Sequence, residues 1–225
     1  MRIESFDHVA LWVADRDALA ASLTAGLGVH VIERTDNFTL VGAHARHGKL
    51  TLFGADGPRE RGALVEIGLR VSSLERALAR IDDGGALRAE GDGRLNAPEG
   101  LTLALVEAPG SLEYDLDHVT LCVRDPDRAR SVYTTLGFED ENGRLRAGGG
   151  YIDLVEGEPT ESERPLLNHI GLRVASASDH IEEARARKLE IADVVDAPNT
   201  TALFLWGPEH VKLEYVEHKA TFSLR

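Results

Sequence analysis

The chain has a single cysteine among 225 residues, so no internal disulfide can form, and a reducing cytoplasm is the expected location. That residue, Cys122, falls in an apolar strand pattern, where a thiol packs as a small, inert hydrophobe. Positive charge is also scarce. With 25 Lys and Arg against 38 Asp and Glu, the net charge of −13 would repel nucleic-acid phosphates and anionic membrane surfaces. No apolar run approaches the roughly 20 residues that cross a bilayer. The opening MRIESFDHVALWV sets acidic residues beside its apolar stretch and does not read as a signal peptide. What is present, 43% hydrophobic and 28% charged residues, suits a globular protein with enough chain to bury a core.

The main positive signal is a fourfold repeat. FDHVALWV (Phe6–Val13), LVEIGLRV (Leu64–Val71), LDHVTLCV (Leu116–Val123) and LNHIGLRV (Leu167–Val174) recur at intervals of 50 to 60 residues. The first resembles the third and the second the fourth, so the chain is a doubled pair. Each segment alternates and is rich in β-branched residues, a strand pattern. Helix starts follow at Asp15, Ser72, Asp125 and Ser176 or Ser178, whose short side chains can accept from free N–H groups of a first turn. The helices read DALAASLTAGLG, LERALARIDDGG, DRARSVYTTLGF and DHIEEARARKLE, three of them running into glycine. Short strands follow each helix, giving a β-α-β-β-β unit. NAPEGLTLALVEAP aligns with WGPEHVKLEYVE around Pro98-Glu99 and Pro208-Glu209. APGSLEYD (Ala108–Asp115) is the expected boundary between the halves.

Strand alternation sorts the side chains. Val119, Leu121 and Val123, with Ile170, Leu172, Val174, Val211, Leu213 and Tyr215, form the faces expected under the helices. His118, His169 and Glu214 lie on the opposite faces, and three such strands around a hollow would aim two imidazoles and a carboxylate at one centre. Those donors suit Fe(II), Mn(II), Zn(II) or Ni(II), and two His with one carboxylate is the open-sited arrangement of non-haem iron oxygenases. The first-half counterparts are His8, Glu66 and Ala104, a set that lacks the last carboxylate. One metal in the second half is therefore expected.

These residues carry a resemblance. DHVAL (Asp7–Leu11), DHVTL (Asp117–Leu121), RDPDRARSVYTTLGFE (Arg124–Glu139), NHIGLRV (Asn168–Val174) and WGPEHVKLEYVE (Trp206–Glu217) make the whole chain resemble the vicinal oxygen chelate superfamily of glyoxalases, bleomycin-resistance proteins and extradiol dioxygenases. Among these it is most similar to two-domain ring-cleaving dioxygenases. The resemblance implies an α+β fold of four βαβββ modules paired into two domains, residues 1–110 and 115–220. Each domain would be a curved, partly open mixed sheet with helices outside. It implies Fe(II) on His118, His169 and Glu214, with O₂ and a catechol-type diol as reactants. The family's acid–base His before the second metal ligand is missing between Gly149 and Asn168, and Phe204 stands where a Tyr is usual. His210 and Tyr151 are the residues left to carry protons.

Arg173 is placed to bind a substrate carboxylate, its competing role being a pair with Asp153 or Glu156, and Phe204 and Trp206 to line an aromatic pocket. The remaining histidines, His30, His44, His47, His180 and His218, fall in contexts expected to be solvated. Two other functions fit the same residues: a non-oxidative metal-dependent isomerase, lyase or transferase, and a drug-binding protein without catalysis. A homodimer would cover the edges that open sheets leave.

Overall fold

The computed structural model describes residues 1–81, 84–109 and 112–224. The first module is β1 (Ser5–Val13), α1 (Arg16–Leu27), β2 (His30–Arg34), β3 (Phe38–His44) and β4 (His47–Gly54). The second is β5 (Leu64–Val71), α2 (Leu74–Leu78), β6 (Arg88–Gly91), β7 (Arg94–Asn96) and β8 (Thr102–Glu107). The third is β9 (Leu116–Val123), α3 (Pro126–Thr135), β10 (Glu139–Glu141), β11 (Arg144–Ala147) and β12 (Gly150–Glu156). The fourth is β13 (Leu167–Arg173), α4 (Ala177–Ala186), β14 (Ile191–Asp196), β15 (Thr200–Trp206) and β16 (Lys212–His218). The βαβββ repeat thus forms four times, an α+β architecture. No helix of the described residues is long and apolar enough to cross a membrane.

Local chemistry explains the helix starts. Asp15 accepts from the N–H groups of Asp17 and Ala18, Asp125 from Arg128, and Ser176 from Asp179. Pro126 occupies the first turn of α3, where its missing N–H costs nothing. The cap of α2 is Ser73 rather than Ser72: the Ser73 hydroxyl accepts from the Arg76 N–H, while the Ser72 hydroxyl accepts from the Arg76 guanidinium. That helix is also much shorter than LERALARIDDGG. Acidic residues at what would be its C-terminal end oppose the helix dipole, and Asp82 and Asp83 lie outside the described residues. Gly28 closes α1 in the left-handed region at φ 77°, donating its N–H to the Thr24 carbonyl.

The sixteen strands form two open eight-stranded sheets. One runs β14-β15-β16-β13-β1-β4-β3-β2, the other β10-β11-β12-β9-β5-β8-β7-β6. Each has an antiparallel seam at its centre, β1 on β13 and β5 on β9, flanked by parallel pairs. The first module therefore shares a sheet with the fourth, and the second with the third. This corrects the expectation that residues 1–110 and 115–220 each build their own sheet. The repeat could not decide the matter, since β1 and β9 carry the same pattern and either could pair along β13. Part of the expected boundary segment, Gly110 and Ser111, lies outside the described residues.

Sequence neighbours do meet, but through their helical layers. Glu99, between β7 and β8, accepts from the N–H groups of Ala14 and Asp15 at the start of α1 (2.9 and 3.1 Å). Its counterpart Glu209 accepts from the Arg124 N–H before α3 (3.0 Å) and pairs with the Arg124 guanidinium. Both glutamates hold positive φ, 65° and 54°, in matching turns after Pro98 and Pro208. The Tyr215 hydroxyl donates to the Leu136 carbonyl at the end of α3 (2.6 Å). Val119, Leu121, Val123, Ile170, Leu172, Leu213 and Tyr215 are almost wholly buried between sheets and helices, each large aliphatic chain contributing roughly 1.5–3 kcal/mol. Glu209→Ala removes a charged acceptor from a helix start and is expected to lower stability by about 1–3 kcal/mol. An unchanged urea midpoint would show that the turn carries no such load.

Candidate metal centre

The seam between β1 and β13 brings three ligand-type side chains together. His8 Nε2 lies 2.9 Å from His169 Nε2. Glu214 Oε2 lies 3.1 Å from the first and 3.0 Å from the second. All three residues are buried, at 8%, 7% and 9% exposure, on the sheet face opposite Val9, Ile170 and Leu213. Among the described residues, His8, His169 and Glu214 form the group of His, Cys, Asp or Glu with atoms close enough to share an ion. β16 delivers Glu214 because it runs parallel to β13, with Gly171 opposite Glu214. Gly171 also faces His8 across the seam, and a Cβ there would sit 2.4 Å from the imidazole. Glycine at 171 is what gives the ring its space.

The outer nitrogens settle the proton positions. His8 Nδ1 lies 2.7 Å from Asp7 Oδ1 and His169 Nδ1 lies 3.0 Å from Asn168 Oδ1. A carboxylate or amide oxygen only accepts, so each Nδ1 carries a proton; Nε2 of a neutral imidazole then turns a lone pair inward, whereas a second proton on His8 Nε2 is donated to Glu214. Without that second proton three acceptor atoms lie in mutual contact; with it, His8 donates and His169 Nε2 and Glu214 Oε2 accept. Burial alone would lower the His8 imidazole, but its bonds to Asp7 and Glu214 raise it to about 9. Burial lowers His169, and its bond to Glu214 does not offset this. Burial would raise Glu214, yet both imidazoles hold it far below the usual carboxylate range. The centre is organised around a positive charge. Donor atoms ~2.1 Å from an ion and at right angles are ~3 Å apart, so the observed spacing fits one face of an octahedral site.

Asp7 is the hub behind His8. Burial would raise its carboxyl, but Lys49, His218 and His8 together hold it well below the usual range. Lys49 Nζ lies 2.5 Å and His218 Nε2 2.8 Å from its oxygens. His218 is also stacked on Phe222, centroids 4.1 Å apart. His218 and His180 are both buried, against the expectation of solvated rings. The Asp7-His8, Asp117-His118 and Asn168-His169 doublets were a readable sign of this outer shell.

His118, expected as a ligand, belongs to the other sheet. Its Nδ1 lies 2.9 Å from Asp117, and its Nε2 is 3.7 Å from Glu66. Arg94 donates to Glu66 at 2.9 Å from a position paired with Ala104. A guanidinium thus supplies the positive charge there. The structure joins His8, not His118, to His169 and Glu214, because the sheets pair the first module with the fourth. Tyr151 goes with His118, opposite it on β12, under the Arg144 guanidinium at 4.0 Å.

Phe204 does reach the centre, edge-on to His169 at 5.3 Å, and Phe53 approaches the same ring at 6.3 Å. Trp12 packs on Phe53, and Trp206 lies two places beyond Phe204 on the same strand face. Trp12, Asn168, Trp206 and Lys212 line a cleft of about 960 Å³. His210 is exposed at this cleft, edge-on to Trp206 at 6.1 Å. Arg173 lies four places from His169 and lines a separate cleft beside Arg70. It pairs with Glu4 at 3.1 Å, and neither Asp153, which binds Arg144, nor Glu156 is its partner. Gly171→Ala should displace His8 and cost about 1–3 kcal/mol. A variant with wild-type stability and metal affinity would refute this account of Gly171.

No family model matches the chain, and no curated protein matches it. Solved structures do. Glyoxalase I from Zea mays aligns over 95% of this chain and 92% of its own, at 17% identity and a TM-score of 0.75. A candidate dioxygenase from Bacillus subtilis covers 98% of this chain and 87% of its own, at 16% identity and 0.74. The cppA protein from Streptococcus pneumoniae covers 95% and 99%, at 13% and 0.61. With its four βαβββ modules paired into two open sheets, the chain shares the fold of these glyoxalase and dioxygenase structures.

Proposed function

We propose that this chain is a divalent-metal enzyme acting on a small aromatic molecule with two adjacent oxygens, its reaction being Fe(II)-dependent ring opening of a catechol-type diol with O₂. The convergence of His8 Nε2, His169 Nε2 and Glu214 Oε2 carries the reading. Two imidazoles and a carboxylate on one face leave the other face free for reactants. When bound, the ion would supply a positive centre that polarises substrate oxygens. Mn(II), Zn(II) and Ni(II) suit the same donors.

The chain's own share is to place and dry the substrate. Asp7 and Asn168 hold the two imidazoles in one tautomer, and Lys49 and His218 keep Asp7 charged beneath them. Phe53, Phe204, Trp12 and Trp206 offer flat apolar walls on which an aromatic ring can stack. His210 stands at the mouth, where it can exchange protons with water. A single cysteine is in keeping with a cytoplasmic setting.

A second reading is favoured by those same walls. Next to the ligands stand Phe53 and Phe204, neither of which can accept a proton. A non-oxidative isomerisation or lyase reaction, in which Glu214 or the substrate itself handles the proton, makes less demand on such a group.

Metal analysis of protein purified anaerobically separates the two sheets. One ion per chain is expected in the wild type and in His118→Ala, and its loss in His8→Ala and His169→Ala. Retention in His8→Ala with loss in His118→Ala would overturn the assignment. For the reaction, iron-loaded protein should consume O₂ and form a yellow product with catechols. Absence of both, with turnover under anaerobic conditions on Mn(II) or Ni(II), would establish the non-oxidative reading.

A further inference from the structure

In a chain where acids outnumber Lys and Arg by 38 to 25, a basic side chain without an acidic partner is informative. The cleft lined by Asn168, next in sequence to His169, and by Trp206 has two. Lys212 is half-buried, with its Nζ over the Trp206 ring at 5.0 Å and the Phe204 ring at 6.0 Å. Arg164 lies over the Trp12 ring at 5.5 Å. Among the described residues, neither is in an ion pair or a hydrogen bond of the kind that occupies Arg70, Arg94, Arg124, Arg144 and Arg173. The cleft's own acids are directed elsewhere. Glu161 and Glu209 pair with Arg124, and Glu163 is exposed on the connecting loop.

Position adds to this. Lys212 precedes Glu214 by two residues on one strand, so the two share a face about 7 Å apart. The space between is walled by Phe204 and Trp206, which pair with Glu214 and Lys212 across β15 and β16. A half-buried ammonium held over two aromatic faces is partly desolvated, which strengthens its attraction to an incoming anion. We infer that the cleft selects a carboxylate-bearing aromatic ligand: the ring lies between Phe204 and Trp206, the carboxylate meets Lys212 with Arg164 at the rim, and the adjacent oxygens point to His8, His169 and Glu214. The oxygen end of this inference rests on the metal reading above; the carboxylate end does not.

The chain's two tryptophans, Trp12 and Trp206, both line this cleft, so intrinsic fluorescence reports on its occupancy. The probes are 3,4-dihydroxybenzoate and catechol, titrated into metal-free and Zn(II)-loaded protein. Wild-type protein should bind 3,4-dihydroxybenzoate about tenfold or more tightly than catechol, as expected for a charge-assisted contact. Lys212→Met should weaken 3,4-dihydroxybenzoate far more than catechol and so abolish that preference, Lys212→Arg should restore it, and Arg164→Gln should reduce it less. Equal affinity for both probes, or equal weakening of both by Lys212→Met, would overturn the inference. If the metal reading alone is wrong, Zn(II) will tighten neither probe, while the Lys212-dependent preference persists in metal-free protein.

Discussion

The antiparallel seam between β1 and β13 is the contact on which the rest depends. It joins the two ends of the chain, places Gly171 against His8, and so lets an imidazole from the first module lie 2.9 Å from one of the fourth. β16 then reaches the same point only because it runs parallel to β13. The link from His218 at the end of β16 to Asp7 on β1 fastens the seam a second time. A slip of one residue along it would turn His8 to the helical face, where Val9, Leu11 and Val13 now pack without exposure. Register is thus held by the core on one side and by the charged centre on the other.

The second sheet repeats the plan with different chemistry, and the contrast shows what the centre needs. Gly68 faces His118 as Gly171 faces His8, with a Cβ again excluded, here at 2.3 Å. The backbone conditions are met in both sheets. What differs is the set of side chains: Glu66 for His169, Ala104 for Glu214, and Arg94 bonded to Glu66. Tyr151, Arg144 and Asp153 line that face in place of Lys49 and the Phe and Trp side chains. One face is polar and closed by its own ion pairs; the other is aromatic and gathers a carboxylate and two imidazoles at one point.

Much of this was legible in the sequence. The fourfold repeat gave the modules, and alternation put Val119, Leu121, Ile170, Leu172, Leu213 and Tyr215 in the core, where they are. His169 and Glu214 lie where a ligand pair was expected, with Phe204 beside them. His118 does not join them, and the reason is general. Asp7-His8-Val9 and Asp117-His118-Val119 present the same local pattern, so residue periodicity cannot tell which of two equivalent strands pairs with β13. That choice is made by long-range edge matching, which a repeat makes degenerate. Arg173 misled differently: the facing pattern was read correctly, but four places along a strand carry a side chain about 13 Å away, into another cleft.

The charges behind the centre explain why it can persist without collapsing. A buried Asp is costly unless its charge is met, and Asp7 has three partners, Lys49, His8 and His218, from three different strands. Lys49 is itself only 4% exposed. Glu214 is met differently: among the described residues its partners are the two imidazoles, which hold its carboxyl far below the usual range. Each buried carboxylate of the group thus has a cationic or protonatable partner, Lys49 for Asp7 and His8 for Glu214.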